Sequence, residues 1–284
     1  MAVSSQQQKY WGRTAAAMKI AFLFLICALS LFPFYWMIRS SLMNQMELFS
    51  FPPKLYPERL RWDNFTGVFE AFPFPLYFKN TMMIIFPVLL GTIVTCSLAG
   101  YAFGRLNFPL KNFWFVLVMS TLMLPPAVTV IPKYIVWSKL GLINTFYPLT
   151  VPAWFGGGAF NIFLVRQFFM TISKEIEESA TIDGAGYFRI FFSIMLPLII
   201  PVLVVVTLFT FIHEWNDFFQ PLLYLNNDSK FTLALGLITL RGEFNSQWNL
   251  MMAGAAIMTL PAIVIFFIGQ KYFVEGISFT GIKG

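Results

Sequence analysis

The sequence predicts an all-α membrane protein with six transmembrane helices. Its 284 residues are 58% hydrophobic and 11% charged, whereas soluble domains carry about 25% charged residues. The apolar residues are concentrated in long stretches, each with roughly the 20 residues that cross a bilayer core. The net charge of +6 indicates attraction to anionic lipid headgroups and not to nucleic acid, because no basic cluster is long enough to follow a phosphate backbone.

The predicted spans are separated by polar segments of different length. They cover residues 18–38, 81–104, 112–131, 145–168, 195–224 and 250–272, between a polar N-terminal segment 1–17 and a C-terminal tail 273–284. We interpret the first as an uncleaved span, since no small-residue cleavage site follows it. The proline-rich segment 39–80 is predicted to be a long loop that contains short interfacial helices.

Six spans put both chain ends on one side of the membrane, but the charges hardly decide which side. With the ends in the cytoplasm, ten Lys and Arg residues lie on that side and nine on the other. The short loops favour cytoplasmic ends only weakly. The orientation therefore depends on a motif between two of the spans.

Two further features lie within or beside the spans. Gly156-Gly157-Gly158, in the fourth span, is expected to bend the helix or to let a neighbouring helix approach closely. Trp215 and Trp248 are interpreted as anchors at the membrane interface, where aromatic residues are enriched.

A charged segment between the fourth and fifth spans carries the most specific motif. It reads Glu178-Ser179-Ala180-Thr181-Ile182-Asp183-Gly184 and continues to Ile194-Met195-Leu196-Pro197. Ser173 is predicted to cap a short helix, whose first turns are acidic, as the helix dipole favours. Gly184 is predicted to end this helix in a left-handed conformation, and Pro197 is expected in the first turn of the next span.

This motif resembles the cytoplasmic coupling signature of ABC importer permeases. That signature is Glu-Ala-Ala, three residues, Gly, nine residues and Ile-x-Leu-Pro, and every anchor has the expected spacing except that Ser179 replaces the first Ala. The resemblance covers nearly the whole chain, including Trp215-Asn216-Asp217-Phe218 and a C-terminal tail that ends in Lys-Gly. It is to permeases of binding-protein-dependent importers of the carbohydrate-uptake, maltose-type class.

The resemblance implies the type I permease fold, with the loop 174–190 docked on a separate ATPase subunit. The residues implied in ATPase coupling are Glu178, Ser179, Ala180, Asp183, Gly184, Ile194, Leu196 and Pro197. Those implied to reach between the ATPase subunits are Gly281, Ile282, Lys283 and Gly284. Ser179 is the residue that departs from the family pattern, and its packing contact is the one that this change affects.

The resemblance also implies the partners and the location. The chain would be a non-catalytic subunit that forms half of a pore for a sugar or oligosaccharide, paired with a second homologous permease. Two ATPase subunits would bind ATP and Mg, so this chain would need no cofactor itself, and an extracytoplasmic solute-binding protein would deliver the solute. The complex would lie in the bacterial inner membrane, with both termini of this chain in the cytoplasm.

Polar residues near the end of the fifth span admit three interpretations. His213, Glu214, Asn216 and Asp217 are costly in a membrane and suggest a function by default. Glu214, Asn216 and Asp217 could contact a substrate on its path through the membrane. His213, Glu214 and Asp217 could instead relay protons in an ATP-independent, proton-coupled carrier. Alternatively, the group only pairs the span with a partner helix or with backbone freed near Pro221.

No catalytic or metal-binding motif is visible in the sequence. It has no Walker-type loop and no Ser/His/Asp motif. Cys27 and Cys96 lie in apolar stretches, so a structural disulfide is not expected, and His213 cannot form a zinc site with thiols so distant. The sequence therefore predicts a transporter subunit and not an enzyme.

Overall fold

The computed structural model describes residues 5–241 and 247–278, and the side-chain surroundings of residues 17–241 and 247–271. The described chain is built from helices. In order they are α1 (Ser5–Ser41), α2 (Gln45–Leu48), α3 (Asp63–Ala71), α4 (Phe74–Arg105), α5 (Lys111–Ser120), α6 (Pro126–Lys139), α7 (Tyr147–Thr150), α8 (Ala159–Thr171), α9 (Glu175–Ile182), α10 (Tyr187–Ile190), α11 (Leu196–Leu198), α12 (Ile200–Asn216), α13 (Phe219–Tyr224), α14 (Leu233–Thr239) and α15 (Trp248–Ser278). Short 3-10 helices cover Thr121–Met123, Val151–Phe155 and Asp228–Lys230, and a π-helix covers Phe191–Met195.

Within these described residues, four helical segments are long and apolar enough to cross a membrane. They are Ala17–Ser41, Phe74–Arg105, Tyr147–Thr171 and Trp248–Lys271. Two pairs of helices pass the same test together but are sharply bent. Counting each bent pair as one broken span gives the six spans that the sequence predicts.

The predicted third span, 112–131, is not a straight helix. It consists of two helical segments, Lys111–Met123 and Pro126–Lys139, and the chain bends by 100° between them. Pro125 precedes α6 and Pro126 lies in its first turn, where a proline ring is tolerated and the missing N–H is not needed. The two prolines therefore end one helix and start another.

The predicted fifth span, 195–224, also differs from the structure. The helical chain begins earlier, at Tyr187, and bends by 72° around Ile199 before α12 starts. Pro197 therefore lies inside the helical segment that precedes the bend and not in the first turn of the long helix. At the other end, α12 stops at Asn216, and α13 is a separate short helix.

The loop between the first and second spans is shorter in the structure than the predicted segment 39–80. The first helix extends to Ser41, and the second begins at Phe74. The residues between them hold two short helices, α2 and α3, as expected for this loop.

Contacts divide the chain into two compact units, and the first combines Met1–Ala71 with Leu240–Ile257. In this unit, buried Asn64 holds the loop after α1 in place. Its Nδ2 atom donates hydrogen bonds to the carbonyls of Ser41, at 2.8 Å, and Met43, at 2.9 Å. Asn249 Nδ2 donates to Asn64 Oδ1 at 2.8 Å, which ties the start of α15 to the same loop.

The second unit comprises Phe72–Thr239 and Met258–Gly284, and α4 packs against α8 through two glycines. A Cβ atom on Gly100 would lie 2.7 Å from Val165 Cγ1, and one on Gly104 would lie 3.1 Å from Phe169 Cβ. The two glycines are four residues apart, so they lie on one helix face and let the helices approach. This close approach brings the C-terminal ends of α4 and α8 together.

The triple glycine of the fourth span allows the close helix approach that was one of its two predicted roles. Gly157 and Gly158 have φ of 55° and 85°, and the helical chain is interrupted between Phe155 and Ala159. A Cβ atom on Gly157 would lie 2.4 Å from Thr95 Oγ1. The segment therefore interrupts the helix of the fourth span and allows close contact with α4.

The interpretation of Trp215 as an interface anchor is wrong. The side chain is 2% exposed and its ring stacks on Phe211, with centroids 5.5 Å apart. Its Nε1 atom donates to the carbonyl of Met258 at 2.9 Å. The indole is buried because its polar atom has an acceptor on a neighbouring helix of the same unit.

Candidate functional site

The first candidate site is α9, whose C-terminal end has a defined hydrogen-bond pattern. The N–H of Gly184 donates to Thr181 O, and the N–H of Ala185 donates to Ala180 O, both at 3.0 Å. Gly184 has a φ of 78°. These are the two bonds of a Schellman motif, so the prediction that Gly184 ends the helix is confirmed.

At the N-terminal end of α9, the N-cap lies one residue after the predicted Ser173. Lys174 occupies the N-cap position, and its side chain makes no capping bond. Ser173 Oγ nevertheless accepts a hydrogen bond from the N–H of Glu175 at 3.3 Å. The first turn carries Glu175, Glu177 and Glu178, as the helix dipole favours.

An ion pair attaches α9 to the ends of the spans. Arg105 Nε lies 2.6 Å from Glu177 Oε2, and the side chains are only 4% and 19% exposed. Arg105 also donates to the carbonyls of Ile172 at 2.9 Å, Ser173 at 3.1 Å and Phe169 at 3.3 Å. The last residue of α4 therefore binds the end of α8, the link to α9 and α9 itself.

The inner side of the segment packs into a hydrophobic cluster. Ala180 is 8% exposed and belongs to the same cluster as Ile190 and Met195, and Ile194 and Leu196 pack against it half-buried. Three of the predicted coupling residues, Ala180, Ile194 and Leu196, are thus packing residues on the side that faces the spans. Ala180 attaches α9 to this cluster, while Ile194 and Leu196 pack against it from the helical chain that follows.

The outer side of the segment is exposed and partly apolar. Four of the other predicted residues, Glu178, Ser179, Asp183 and Gly184, are exposed on this side. Pro197 is exposed as well, but it lies in the helical part of the fifth span. The surface also includes three large apolar side chains that the sequence analysis did not select: Ile182 at 86%, Phe188 at 80% and Tyr187 at 73% exposure. We call Ile182, Tyr187 and Phe188 the apolar patch. Large apolar residues within a charged loop were the signal that could have identified it.

The other residues predicted to contact the ATPase are Gly281, Ile282, Lys283 and Gly284. They lie outside the described residues.

The second candidate site is a cavity of about 490 Å³ within the second unit. Its lining combines polar side chains with aromatic rings. The polar side chains include Thr92, Lys133, Asn161, Thr210, His213, Glu214, Asp217 and Gln220, and the aromatic ones are Trp137, Phe160, Phe209 and Tyr224. Such a mixture suits a polar ligand with apolar faces.

The structure separates the polar residues predicted near the end of the fifth span. Glu214 and Asp217 line the cavity together with His213, whose Nδ1 lies 3.3 Å from Glu214 Oε1. Asp217 Oδ1 accepts a hydrogen bond at 3.2 Å from the N–H of Gln220, in the first turn of α13. Asn216 is exposed, does not line the cavity, and donates to the carbonyl of Ile212 in its own helix at 2.8 Å.

Comparison with known protein families identifies the kind of protein in which these two sites occur. Residues 93–279 match the model described as "Binding-protein-dependent transport system inner membrane component". The chain belongs to this family. It is therefore an ABC importer permease, a pore-forming membrane subunit that is driven by ATP hydrolysis and is not itself an enzyme.

Curated relatives of this permease cover most of its length. The "Probable ABC transporter permease protein YurM" of Bacillus subtilis (strain 168) is 34% identical over 93% of this chain and 87% of its own. The "Arabinooligosaccharides transport system permease protein AraQ" of Halalkalibacterium halodurans is 32% identical over 91% of this chain and 93% of its own. The "sn-glycerol-3-phosphate transport system permease protein UgpE" of Yersinia pestis bv. Antiqua (strain Antiqua) is 34% identical over 88% and 91%.

The fold of the permease matches a solved structure. A chain from the "Crystal structure of a bacterial ABC transporter involved in the import of the acidic polysaccharide alginate" superposes with a TM-score of 0.78. The match covers 96% of this chain and 100% of the other, at 22% sequence identity. The predicted all-α importer-permease fold is thereby confirmed.

The alternative of a proton-coupled carrier is not supported, since the permease belongs to a family of ATP-driven importers. Among residues 5–241 and 247–278, no three His, Cys, Asp or Glu side chains are grouped so that they could hold a metal ion.

Proposed function

We propose that the segment 174–190 docks on an ATPase subunit and transmits its movement to the spans. The observation that carries the proposal is the contrast between the two sides of this segment. Its inner side is held by Arg105 and by the hydrophobic cluster around Ala180. Its outer side presents the apolar patch beside the exposed signature residues Glu178 and Gly184.

This contrast suits a coupling element. The apolar patch provides surface whose burial in a partner is favourable by roughly 25 cal/mol per Å². The ion pair of Arg105 with Glu177 and the carbonyl contacts of Arg105 attach the helix to α4 and α8, so that a displacement of α9 pulls on both. Ser179 is small and exposed, and it fits this surface although the family pattern has Ala there.

Membership of the family supports a proposal for the remaining partners. The permease pairs with a second homologous permease to form the pore, and two ATPase subunits bind ATP and Mg. Closure of the ATPase dimer carries the segment 174–190 with it, the spans rock to expose the site outward, and hydrolysis reverses the change. Since a ligand shifts two states only by its differential affinity for them, the loaded solute-binding protein must prefer the outward-open state.

The solute is proposed to be a sugar or oligosaccharide that passes through the cavity lined by Glu214 and Asp217. Saccharides offer many hydroxyl groups for hydrogen bonds and apolar ring faces for aromatic side chains, and the cavity provides both kinds of contact. The relative named for arabinooligosaccharide transport supports this class. The relative named for sn-glycerol-3-phosphate transport defines the main competing solute.

The membrane orientation completes the proposal. Docking on an ATPase requires α9 to lie in the cytoplasm. With six spans, both termini then lie there too, in the bacterial inner membrane. The C-terminal residues Gly281, Ile282, Lys283 and Gly284 are proposed to reach between the ATPase subunits.

The docking surface can be tested with two tyrosines of equal exposure. Tyr187, in the apolar patch, is 73% exposed, and Tyr56, in the loop between α2 and α3, is 74% exposed. We expect Tyr187→Asp to abolish recovery of an ATPase subunit when the tagged permease is purified from its host, because a charge would be buried without a partner.

The matched control is Tyr56→Asp, which should leave ATPase recovery unchanged. Both variants should reach the membrane at the level of the natural chain. Full recovery of the ATPase with Tyr187→Asp would refute docking at the apolar patch. Uptake by ATP-free vesicles that contain the permease alone would refute the whole proposed function.

A further inference from the structure

A second cleft lies at the ends of three membrane-crossing segments, within the second unit. It has a volume of about 600 Å³ and lies between the end of α4, the loop that follows it, the start of α5 and the last turns of α8. The polar side chains that line it are Asn107, Lys111, Asn112 and Arg166. We call this cleft the basic cleft, since its charged residues are both cations.

Arg166 has unused hydrogen-bond donors in this cleft. Its Nε donates to the carbonyl of Phe103 at 3.2 Å, and its guanidinium lies over the ring of Phe115, 4.2 Å from the centroid. No hydrogen bond of its two Nη atoms to the described chain is found. In Arg105, by contrast, Nε and both Nη atoms bind protein oxygens. The guanidinium of Arg166 therefore keeps the two nitrogens that suit a phosphate.

The charge in the basic cleft is not neutralised by the protein. Lys111 Nζ donates to the carbonyl of Leu106 at 2.6 Å, and the charges of Arg166 and Lys174 both act on it repulsively. Within the described part of the chain, neither Lys111 nor Arg166 forms an ion pair with a carboxylate. Two half-buried like charges in one cleft are stabilised by an anion placed between them.

The rim of the same cleft is apolar and exposed. Leu110, Phe113 and Met170 line it and are 68%, 57% and 51% exposed. In a membrane-spanning chain, such side chains beside cations at a helix end lie where the headgroup region meets the acyl chains. The cleft therefore offers a cationic floor and an apolar border to a single ligand.

We propose that the basic cleft binds the headgroup of an anionic phospholipid. The phosphate lies between the Nη atoms of Arg166 and the ammonium of Lys111, and the acyl chains lie along Leu110, Phe113 and Met170. Basic clefts between transmembrane helices are known to hold anionic lipid headgroups. A free phosphate or nucleotide would use the cations but not the apolar border.

A lipid bound in the basic cleft would contact the ends of three helices close to the segment 174–190. Arg166 lies in α8, one turn before Phe169, whose carbonyl accepts from Arg105. A lipid in the basic cleft thus holds the ends of α4, α5 and α8 at the base of the segment 174–190. The inference concerns lipid binding by the membrane segments and does not require the proposed docking function.

The test is native mass spectrometry of the purified importer, with its partners attached, after equilibration with equal amounts of phosphatidylglycerol and phosphatidylcholine. We expect preferential retention of phosphatidylglycerol. Arg166→Gln should weaken that retention about tenfold, since a charge-assisted hydrogen bond to phosphate is lost. Lys111→Gln should weaken it too, and it provides a second variant in case the first fails to fold. Lys139→Gln removes an exposed cation elsewhere and should change nothing.

Three results would overturn the proposal. One is equal retention of the two lipids by the natural protein. Another is complete displacement of phosphatidylglycerol by inorganic phosphate, which would assign the cleft to the free anion. A third is unchanged lipid retention by Arg166→Gln together with loss of the ATPase subunit, which would make the basic cleft a protein contact.

Discussion

Arg105 Nε lies 2.6 Å from Glu177 Oε2, and this pair joins the last residue of α4 to the first turn of α9. The two residues are 72 positions apart in the sequence. The same guanidinium binds three carbonyls at the end of α8 and in the link to α9. A single side chain therefore connects two spans to the segment that we propose as the coupling element.

Arg105→Gln should separate α9 from the spans. Removing one partner of a buried ion pair leaves an unpaired charge and costs about 3 kcal/mol. The shorter, neutral amide of glutamine also has only two N–H donors, so it cannot keep all three hydrogen bonds to the carbonyls. We expect a lower melting temperature. In reconstituted vesicles, we expect less solute to be taken up for each ATP hydrolysed. The measurement is the ratio of solute transported to ATP hydrolysed.

The charge-exchanged variant Arg105→Glu with Glu177→Arg is the informative control. It restores the opposite charges but places a carboxylate next to the carbonyls of Phe169, Ile172 and Ser173. We expect no recovery of coupling, since those carbonyls need a donor. Full recovery would show that the ion pair alone is sufficient and that the carbonyl contacts are dispensable.

Gly184→Ala should loosen the C-terminal end of α9. A Cβ atom there would meet nothing within 4 Å, so the whole cost comes from the φ of 78°, about 1 kcal/mol for a residue other than glycine. Gly186→Ala is the matched control, because Gly186 also has open space but a φ of -77°. Faster amide hydrogen exchange over residues 180–186 is expected only in the Gly184 variant, and equal exchange in both would contradict the backbone explanation.

Ser179→Ala should preserve the function of the permease. Ser179 Oγ donates to the carbonyl of Glu175 at 2.7 Å within α9, so the hydroxyl is satisfied inside its own helix. Alanine is the better helix former by roughly 0.5 kcal/mol, and it is the residue that the family signature carries. We expect unchanged or slightly higher recovery of the ATPase, while Ser179→Leu should lower it by adding bulk to the docking surface. A loss of recovery with Ser179→Ala would show that the hydroxyl itself contacts the partner.

The sequence contained enough information to predict local features of α9. An acidic first turn and a glycine at its end are signals that act over a few residues, and the structure has both features. The bends were harder to predict. Pro125 and Pro126 lie within the predicted third span, but the sequence analysis did not identify them as the place where this span turns by 100°. The bend at Ile199 follows the π-helix Phe191–Met195, and no residue pattern in the sequence predicted this π-helix.

Contacts between distant residues could not be read from the sequence. Nothing near Arg105 in the sequence indicated that Glu177, 72 residues away, would be its partner. Trp215 was misplaced for the same reason, since the acceptor of its N–H is a carbonyl 43 residues away. The cavity and the basic cleft also depend on which helices meet, and this is determined by features such as the close approach at Gly100.

Gly100→Ala should disturb the packing of α4 against α8. The added Cβ would lie 2.7 Å from Val165 Cγ1 and 3.1 Å from the backbone nitrogen of Arg166. Such overpacking costs about 1–3 kcal/mol, so a lower melting temperature in detergent is expected. Because the backbone of α8 is also close, adding Val165→Ala should restore stability only in part. An unchanged melting temperature in the single variant would mean that the two helices are not this close.

Glu214→Gln and Asp217→Asn should slow transport without affecting assembly. Both residues line the cavity, and an amide in place of a carboxylate weakens the hydrogen bonds that it accepts from a hydroxylated solute. Asparagine at position 217 can still accept the hydrogen bond from the N–H of Gln220 through its amide oxygen. We expect uptake from the loaded binding protein to fall about tenfold in each variant, with normal recovery of the ATPase. Asn216→Ala, a change at an exposed neighbour outside the cavity, should transport normally. Normal uptake by both carboxylate variants would remove this cavity from the solute path, and a defect confined to Asn216→Ala would place that path on the opposite face of α12.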